Sequence, residues 1–381
     1  MAVDWGATGR RDTYHCTIVN PFSLQDEGPL DIAPQECSLT YDWNSDTILS
    51  GSVAELNSDF RVDGYDKLVR IYHHIECDGA VIDEVLGTMF VDDLTRSSKY
   101  GLNKRSMNMR STLWRLSQDF LDNDFARDTG DNCISAISSL ITSVGGLVSV
   151  SHDAPKSRTF GNPIWFPMGE NRLETINTMC GWIGARIGID PYGYVTISKY
   201  RDPYQVSPSS IYTFEDGENC LYLSGIEWEA TRSDPLNRVV AYFSRENKPS
   251  DEDPSIPLSA RYVANLPEHS QFSFVRSGRY RTEVLNVDPC TEEELAASAE
   301  LYLAENSGDV TSIHIQHPSI PGLGVGSVVY YKNSTDDTDP VSVRCLIEEQ
   351  SIGSLGPGCL VNSKLKILNW YSAPLQGVSP S

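Results

Sequence analysis

Leu68-Val-Arg-Ile-Tyr-His-His-Ile-Glu76, the turn Cys77-Asp-Gly79 and Ala80-Val-Ile-Asp-Glu-Val-Leu-Gly-Thr-Met-Phe-Val91 decide the fold class of this 381-residue chain. In an extended strand neighbouring side chains point to opposite faces, so Val69, Ile71 and Ile75 share one face at period two. Asp-Gly is the chemistry of a tight turn between strands. Similar strand-like runs lie on either side, at Tyr14–Val19, Cys37–Trp43, Thr47–Leu56 and Leu102–Arg110, with Asp42-Trp-Asn-Ser-Asp46 as a second turn signal. Strands spaced this closely predict a small barrel or sandwich.

Past Arg110 the period changes. Leu113, Leu116 and Phe120 predict a helix over Ser111–Leu121. Ile134, Ile137, Leu140, Ile141 and Val144 form one apolar stripe of a helix over Asp131–Val144, stopped by Gly145-Gly146. Asn171–Ile183 is a third helix, with Asn171 as its cap. A hairpin follows, Ala185–Ile189 and Tyr194–Tyr200 around Asp190-Pro-Tyr-Gly193. Strands return at Cys220–Glu229 and Arg238–Phe243, and Glu246–Pro257 reads as an exposed polar loop. Thr291-Glu-Glu-Glu294 is a capping box opening a helix to about Glu305. The last strands are expected at Thr311–Gln316, Val325–Tyr331, Val341–Gln350 and Cys359–Asn369. The architecture expected is a β-barrel, a small α+β domain, and a second β domain with a helix-bearing excursion.

At roughly 100–200 residues per domain the chain has room for two to four. No stretch approaches the ~18–20 apolar residues of a membrane helix. The N-terminus lacks a secretory pattern, so folding in a cytoplasm and no membrane insertion are expected. Nine scattered cysteines without C-x-x-C read as small buried hydrophobes rather than a disulfide framework or zinc cluster. The formal net charge of −22 argues against gripping phosphates and against sequence-specific nucleic-acid binding. It suits solubility, or a surface past which DNA slides without sticking.

Several chemical motifs nearly occur. Asp42-x-Asn44-x-Asp46 begins like a calcium loop, but the required glycine is Thr47 and the bidentate glutamate is Val53, leaving a hairpin turn. Gly322-Leu-Gly-Val-Gly326 precedes a β run, with no helix N-terminus to hold a pyrophosphate. His73 and His74 point to opposite strand faces, and His73 reads as a satisfied core histidine. His152 is expected in a loop, His314 and His317 at the surface, and Asp336-Asp-Thr-Asp339 at a polar hairpin tip. Trp43 and Trp228 read as core aromatics. No nucleophile elbow, zinc-protease helix or papain-like cysteine signature occurs. No catalytic, cofactor-binding or metal residue is therefore assigned, and no cofactor.

The order of segments carries a resemblance. Gly87-Thr-Met-Phe-Val91, then Ser106-Met-Asn-Met-Arg110 leading into Leu113-Trp-Arg-Leu116, resembles the end of the first barrel in tailed-bacteriophage baseplate hub proteins. Gly130–Gly146, Trp165–Asn177 and Ile187–Ile197 resemble the helix, second helix entry and hairpin that follow there. Asn237-Arg-Val-Val-Ala241, the Thr291–Glu305 helix and Ile320–Val328 fall in the later order. The chain is thus similar to the siphophage tail-tip hub, the N-terminal region of the tail-associated protein, over roughly residues 14–370.

The resemblance implies a structural virion protein with no enzymatic activity. It implies a homotrimer whose subunits each supply two tube-like antiparallel β-barrels, so that three make a pseudo-sixfold ring. That ring would join the hexameric tail tube to a threefold tail tip and form part of the DNA ejection channel. The first hub barrel would span 1–112, the α+β domain 113–205, and the second barrel 206–258 with 306–373. The inserted helix-bearing domain would be 259–305 and the loose tail 374–381. Implied partners are the tail tube or distal tail protein, the tape measure protein, and tail-tip fibre or spike proteins. An acidic bore would repel DNA. The chain ends at Ser381 without the fibre, peptidase or lysozyme extension that many family members carry, so a separate partner is expected to supply it. The alternatives are a tail-tip carbohydrate-binding or adhesion module and a cell-wall hydrolase.

Overall fold

The computed structural model describes residues 9–56, 67–77, 79–99, 102–201, 203, 206, 212–215, 222–223, 226–231, 236–244, 257–268, 273–287, 291–307, 310–333, 341–356 and 358–368. Strand alternation builds the first element group. In β1 (Arg11–Val19) Asp12, Tyr14, Cys16 and Ile18 are buried while Arg11, Thr13 and His15 are exposed. It is followed by β2 (Asp26–Leu30), β3 (Ser38–Asp42), β4 (Leu49–Leu56), β5 (Leu68–Cys77), β6 (Ala80–Lys99) and β7 (Leu102–Arg110). Antiparallel pairing runs β2-β1-β5-β6-β7-β4. Beyond β2 the chain reaches Ile32, which bridges Glu55 of β4. There the Ala33 amide donates to the Ala54 carbonyl at 2.8 Å and the Leu56 amide to the Asp31 carbonyl at 2.9 Å. This bridge and its two backbone bonds close the ring just past β2, while β2 itself pairs with β1. Cys16, Ile18, Val53, Val69, Ile71, Met89, Met107 and Met109 fill its interior, so this barrel is a packed core and not a pore.

Two strands depart from expectation. β2 contains Asp26, Glu27 and Pro29, a composition that argues against a strand; it sits beside β1 alone, where a proline is tolerated. β6 extends to Lys99 because its polar second half is held by backbone pairing with β7 through Lys99 opposite Leu102, not by apolar alternation.

The mixed segment contains α1 (Thr112–Gln118), β8 (Phe125–Arg127), α2 (Cys133–Thr142), β9 (Val148–Val150), β10 (Ile164–Phe166), α3 (Arg172–Trp182), β11 (Ala185–Ile189) and β12 (Val195–Lys199). Asn132 and Asn171 cap α2 and α3 by accepting from the amides of Ser135 at 2.9 Å and Glu174 at 3.1 Å. Gly145, at φ +79°, ends α2 in the left-handed conformation expected of a helix stop. Ile137, Leu140 and Ile141 pack with Ile176 and Met179 onto Ile187, Val195 and Ile197 of the sheet.

The β11–β12 turn is fastened to the barrel by one buried arginine. Arg70 points outward from β5, yet its side chain is only 5% exposed because the turn covers it. Its Nε donates to Thr88 Oγ1 at 2.9 Å and its Nη1 to Asp26 at 2.8 Å. Nη2 donates to the carbonyls of Leu24 at 2.9 Å and Tyr192 at 3.2 Å. Thr88 in turn donates to the Pro191 carbonyl at 2.8 Å.

These elements belong to a unit comprising Met1–Gly225, Ile315–Ser342 and Leu346–Leu365, which also holds β13 (Tyr212–Glu215). A second unit comprises Ile226–His314, Val343–Cys345 and Lys366–Ser381. Within it lie β14 (Glu227–Thr231), β15 (Arg238–Ser244), β16 (Ser259–Asn265), α4 (Phe274–Ser277), β17 (Thr282–Asn286) and α5 (Glu292–Asn306). β16 and β17 flank β15, antiparallel and parallel respectively. Leu295, Ala299 and Leu303 of α5 cover one face of that sheet against Val239, Ala241 and Phe243. Its capping box forms as expected, with the Glu294 amide donating to Thr291 Oγ1 and the Thr291 amide to Glu294. The sheet takes strands from both sides of the boundary expected at residue 258.

The closing strands are β18 (Val310–Pro318), β19 (Val328–Asn333), β20 (Val341–Ile352) and β21 (Leu360–Ile367). In the first unit Leu39–Asp42 of β3 pair with Ile352–Glu349 of β20, and β13 runs parallel to β19. The chain is mainly β with small α insertions. Cys220, most of the loop expected at 246–257 and the tail at 374–381 lie outside the described residues.

Replacing Arg70 with alanine removes one partner each from Asp26, Thr88 and the turn carbonyls, and is expected to cost about 1.5–3 kcal/mol in denaturant unfolding. Asn171→Ala is expected to cost about 1 kcal/mol. An Arg70→Ala loss no greater than that of the cap would refute the anchoring role.

Candidate interaction sites

The barrel interior turns polar where β1 and β5 carry Asp12 and His73. His73 is fully buried and stacks on Tyr14 with ring centroids 4.4 Å apart. Its Nε2 lies 2.7 Å from Asp12 Oδ1 and its Nδ1 3.3 Å from Glu84 Oε1. Arg10 clamps the same carboxylate, with Nε 2.9 Å from Oδ2 and Nη2 2.7 Å from Oδ1. Burial pushes the Asp12 pKa up, but the hydrogen bonds from His73 and Arg10 outweigh it and hold the pKa below the usual range. Burial likewise disfavours the His73 imidazolium, and the bonds to Asp12 and Glu84 overcome that, raising its pKa. With both ring nitrogens committed to carboxylates, His73 has no free nitrogen to act as a base. Tyr14 donates to Cys359 Sγ at 3.5 Å, and burial pushes the thiol's pKa up, away from a nucleophilic thiolate. The reading of His73 as a satisfied core histidine holds. His74 points the other way, to Asp83 at 2.6 Å.

His317 corrects the sequence expectation. It is 1% exposed, not on the surface, because it lies on β18 against Phe214 with ring centroids 5.0 Å apart. Its Nδ1 donates to the Pro318 carbonyl at 2.7 Å, and Nε2 accepts from Ser363 Oγ at 2.8 Å. Gln350 Nε2 donates to that same hydroxyl at 3.2 Å. Burial pushes the His317 pKa down to about 4, assisted by the charge of Arg10. A cavity of about 270 Å³ opens beside it, lined also by Tyr41, Glu84, Leu86, Pro191 and Gln350. It offers a carboxylate and amide groups, but no activated nucleophile.

The near-motifs resolve as structure. Asp42 Oδ1 accepts from the Asn44 amide at 2.9 Å, and Asn44 Nδ2 donates to Glu348 at 3.3 Å, as a turn requires. Gly326, at φ +82°, faces the Trp43 ring so closely that a Cβ there would overlap it. On Trp43 the Arg186 guanidinium sits 3.1 Å from the ring centroid and donates to the Trp43 carbonyl at 2.6 Å. The glycine run is thus a loop entering β19 that admits a half-buried tryptophan. His152 is exposed, and His314 pairs with Glu229 at 3.2 Å. Asp336–Asp339 and the Trp228 side chain lie outside the described residues. Seven of the nine cysteines are described, none of them in a disulfide, six buried and Cys359 half-buried. Among the described residues no cluster of three or more His, Cys, Asp or Glu could hold a metal ion, and no helix is long and apolar enough to cross a membrane.

The two buried histidines predict opposite pH limbs. The folded His73 pKa lies above its ordinary value of about 6.5, so its stabilisation is full below that pH and fades as pH rises through the folded value. The His317 pKa lies below the ordinary value, so its contribution is full above about pH 6.5 and fades as pH falls toward about 4. In melting temperature against pH, His73→Gln is expected to flatten the alkaline limb and His317→Gln the acid limb. Unchanged limbs would contradict both assignments.

No protein-family profile matches this sequence, and neither does any curated protein. Solved structures do. The tail protein from Neisseria meningitidis MC58 superposes with a TM-score of 0.61 at 12% identity, covering 93% of this chain and 96% of its own. The 43 kDa tail protein of prophage MuSo2 from Shewanella oneidensis gives 0.60 at 12% identity, covering 93% and 98%. The prophage tail protein gp18 from Listeria monocytogenes EGD-e gives 0.56 at 10% identity, covering 94% and 95%. Nearly end to end, this chain has the fold of prophage tail proteins.

Proposed function

We propose that this chain is a structural tail protein that works as a trimeric baseplate hub. The observation that carries the reading is the near-complete superposition on tail proteins, which accounts for both units at once. The chemistry of the buried groups agrees with it. Asp12, His73, His317 and Cys359 are spent on holding the barrel and its neighbouring strands together. The filled barrel adds a geometric argument. DNA cannot pass through a core occupied by Ile71, Met89 and Met107, so a channel must lie between copies.

In this reading three copies surround the tail axis, residues 1–112 supply the first barrel, and strands from 206–231 and 306–373 supply the second. The α+β domain at 113–205 braces the ring. The hub joins the tail tube or distal tail protein above to fibre or spike proteins below, with the tape measure protein reaching it through the tube. A net charge of −22 keeps the bore from holding DNA during ejection. Sedimentation of the purified chain with negative-stain imaging is expected to show a threefold ring with a central hole. A monomer that persists when tail-tube protein is added would overturn the proposal.

A further inference from the structure

The sheet of the second unit has one face covered by α5, and among the described residues no helix or strand covers the other. Register puts Arg238, Val240, Tyr242, Arg261, Val263 and Val284 on that face, with polar Asn265 and Thr282 at one end and Asn286 at the other. A sheet face that meets water normally alternates to polar residues. β15 instead reads Val239-Val-Ala-Tyr-Phe243, apolar on both faces, the pattern of a strand covered on both sides. Val240 at the centre of the face is buried, yet Tyr242 is 39% exposed and Val284 60% exposed.

The charge on this face is the reverse of the chain's. The whole sequence has 52 acidic and 30 basic residues, but the three strands place no carboxylate on the open face. Glu283 of β17 turns to the α5 side, where it accepts from Tyr302 at 2.8 Å. Among the described residues, neither Arg238 nor Arg261 is paired with a carboxylate. Arg238 rests over the Tyr280 ring at 4.8 Å, and Phe274 stacks on Tyr280 at 4.2 Å. Exposed aromatics with arginine, free of carboxylates, have the composition of an interface centre.

We infer that this open face docks an acidic surface of a second copy of the chain. Charge complementarity selects that occupant. An isologous contact would set Arg238 and Arg261 against their own copies, whereas the acid-rich remainder of a neighbour offers carboxylates. The contact is therefore heterologous, the kind that runs head to tail and makes a ring when the rotation closes. The inference rests on the trimeric reading and assigns one of its surfaces.

The test is sedimentation equilibrium of the full chain beside two variants, Arg238→Glu/Arg261→Glu and Arg261→Glu/Val284→Glu, with thermal melting as the folding check. The second variant touches only exposed side chains and covers the case in which the first fails to fold. Expected are a trimer for the parent chain, association weakened about tenfold or more in a folded variant, and a similar weakening at high salt. A parent trimer unaffected by either variant overturns this surface and leaves the trimer standing. A parent that stays monomeric even when tail-tube protein is added removes both. Variants that keep the trimer but lose binding of a labelled single-stranded oligonucleotide would reassign the face to a polyanion and overturn the inference.

Discussion

Closure of the first barrel through Ile32 and Glu55 is the constraint from which the rest of the first unit follows. Once the ring is shut, side chains divide into an inside that must be filled and an outside free to hold other elements. Inward positions take Ile71, Met89 and Met107, and outward Arg70 and Thr88 receive the β11–β12 turn. The closing strand also brings Glu55 opposite Arg105 of β7, and their side chains form a buried pair 2.6 Å apart. Removing one partner from such a pair would strand a charge, so the polar interior helps fix a single register.

The polar groups that look most like chemistry are held in the same way. An Asp–His contact inside a protein invites a catalytic reading, but a base needs a free nitrogen facing a substrate. His73 lies between two carboxylates and His317 between a carbonyl and a hydroxyl. Opposite environments drive their protonation in opposite directions. Carboxylates keep the proton on His73, and burial without an anion removes it from His317.

Much of the β and helical order was legible because apolar period and caps are local. The Leu68–Glu76 strand, the α2 stripe and the Thr291 capping box all stand where the sequence places them. What was not legible depends on contacts distant in sequence. β2 is a strand only because β1 lies beside it, and its proline and acids conceal it. Nothing in the strand pattern marks Arg70, because the turn that covers it lies more than a hundred residues away. His317 reads as surface because its partner Ser363 comes from a different strand. The open face of β15 was partly visible in Val239–Phe243, but its lack of carboxylates appears only when three strands are set in register.

The first barrel is filled with side chains, so the proposed hub puts its channel outside that core and between copies. Electron cryomicroscopy of the assembled tail tip tests that most directly. The account predicts three copies around the tail axis, with side-chain density filling each first barrel and the channel bounded by barrel exteriors. A tip without this chain, or a lumen running through a single barrel, would contradict it.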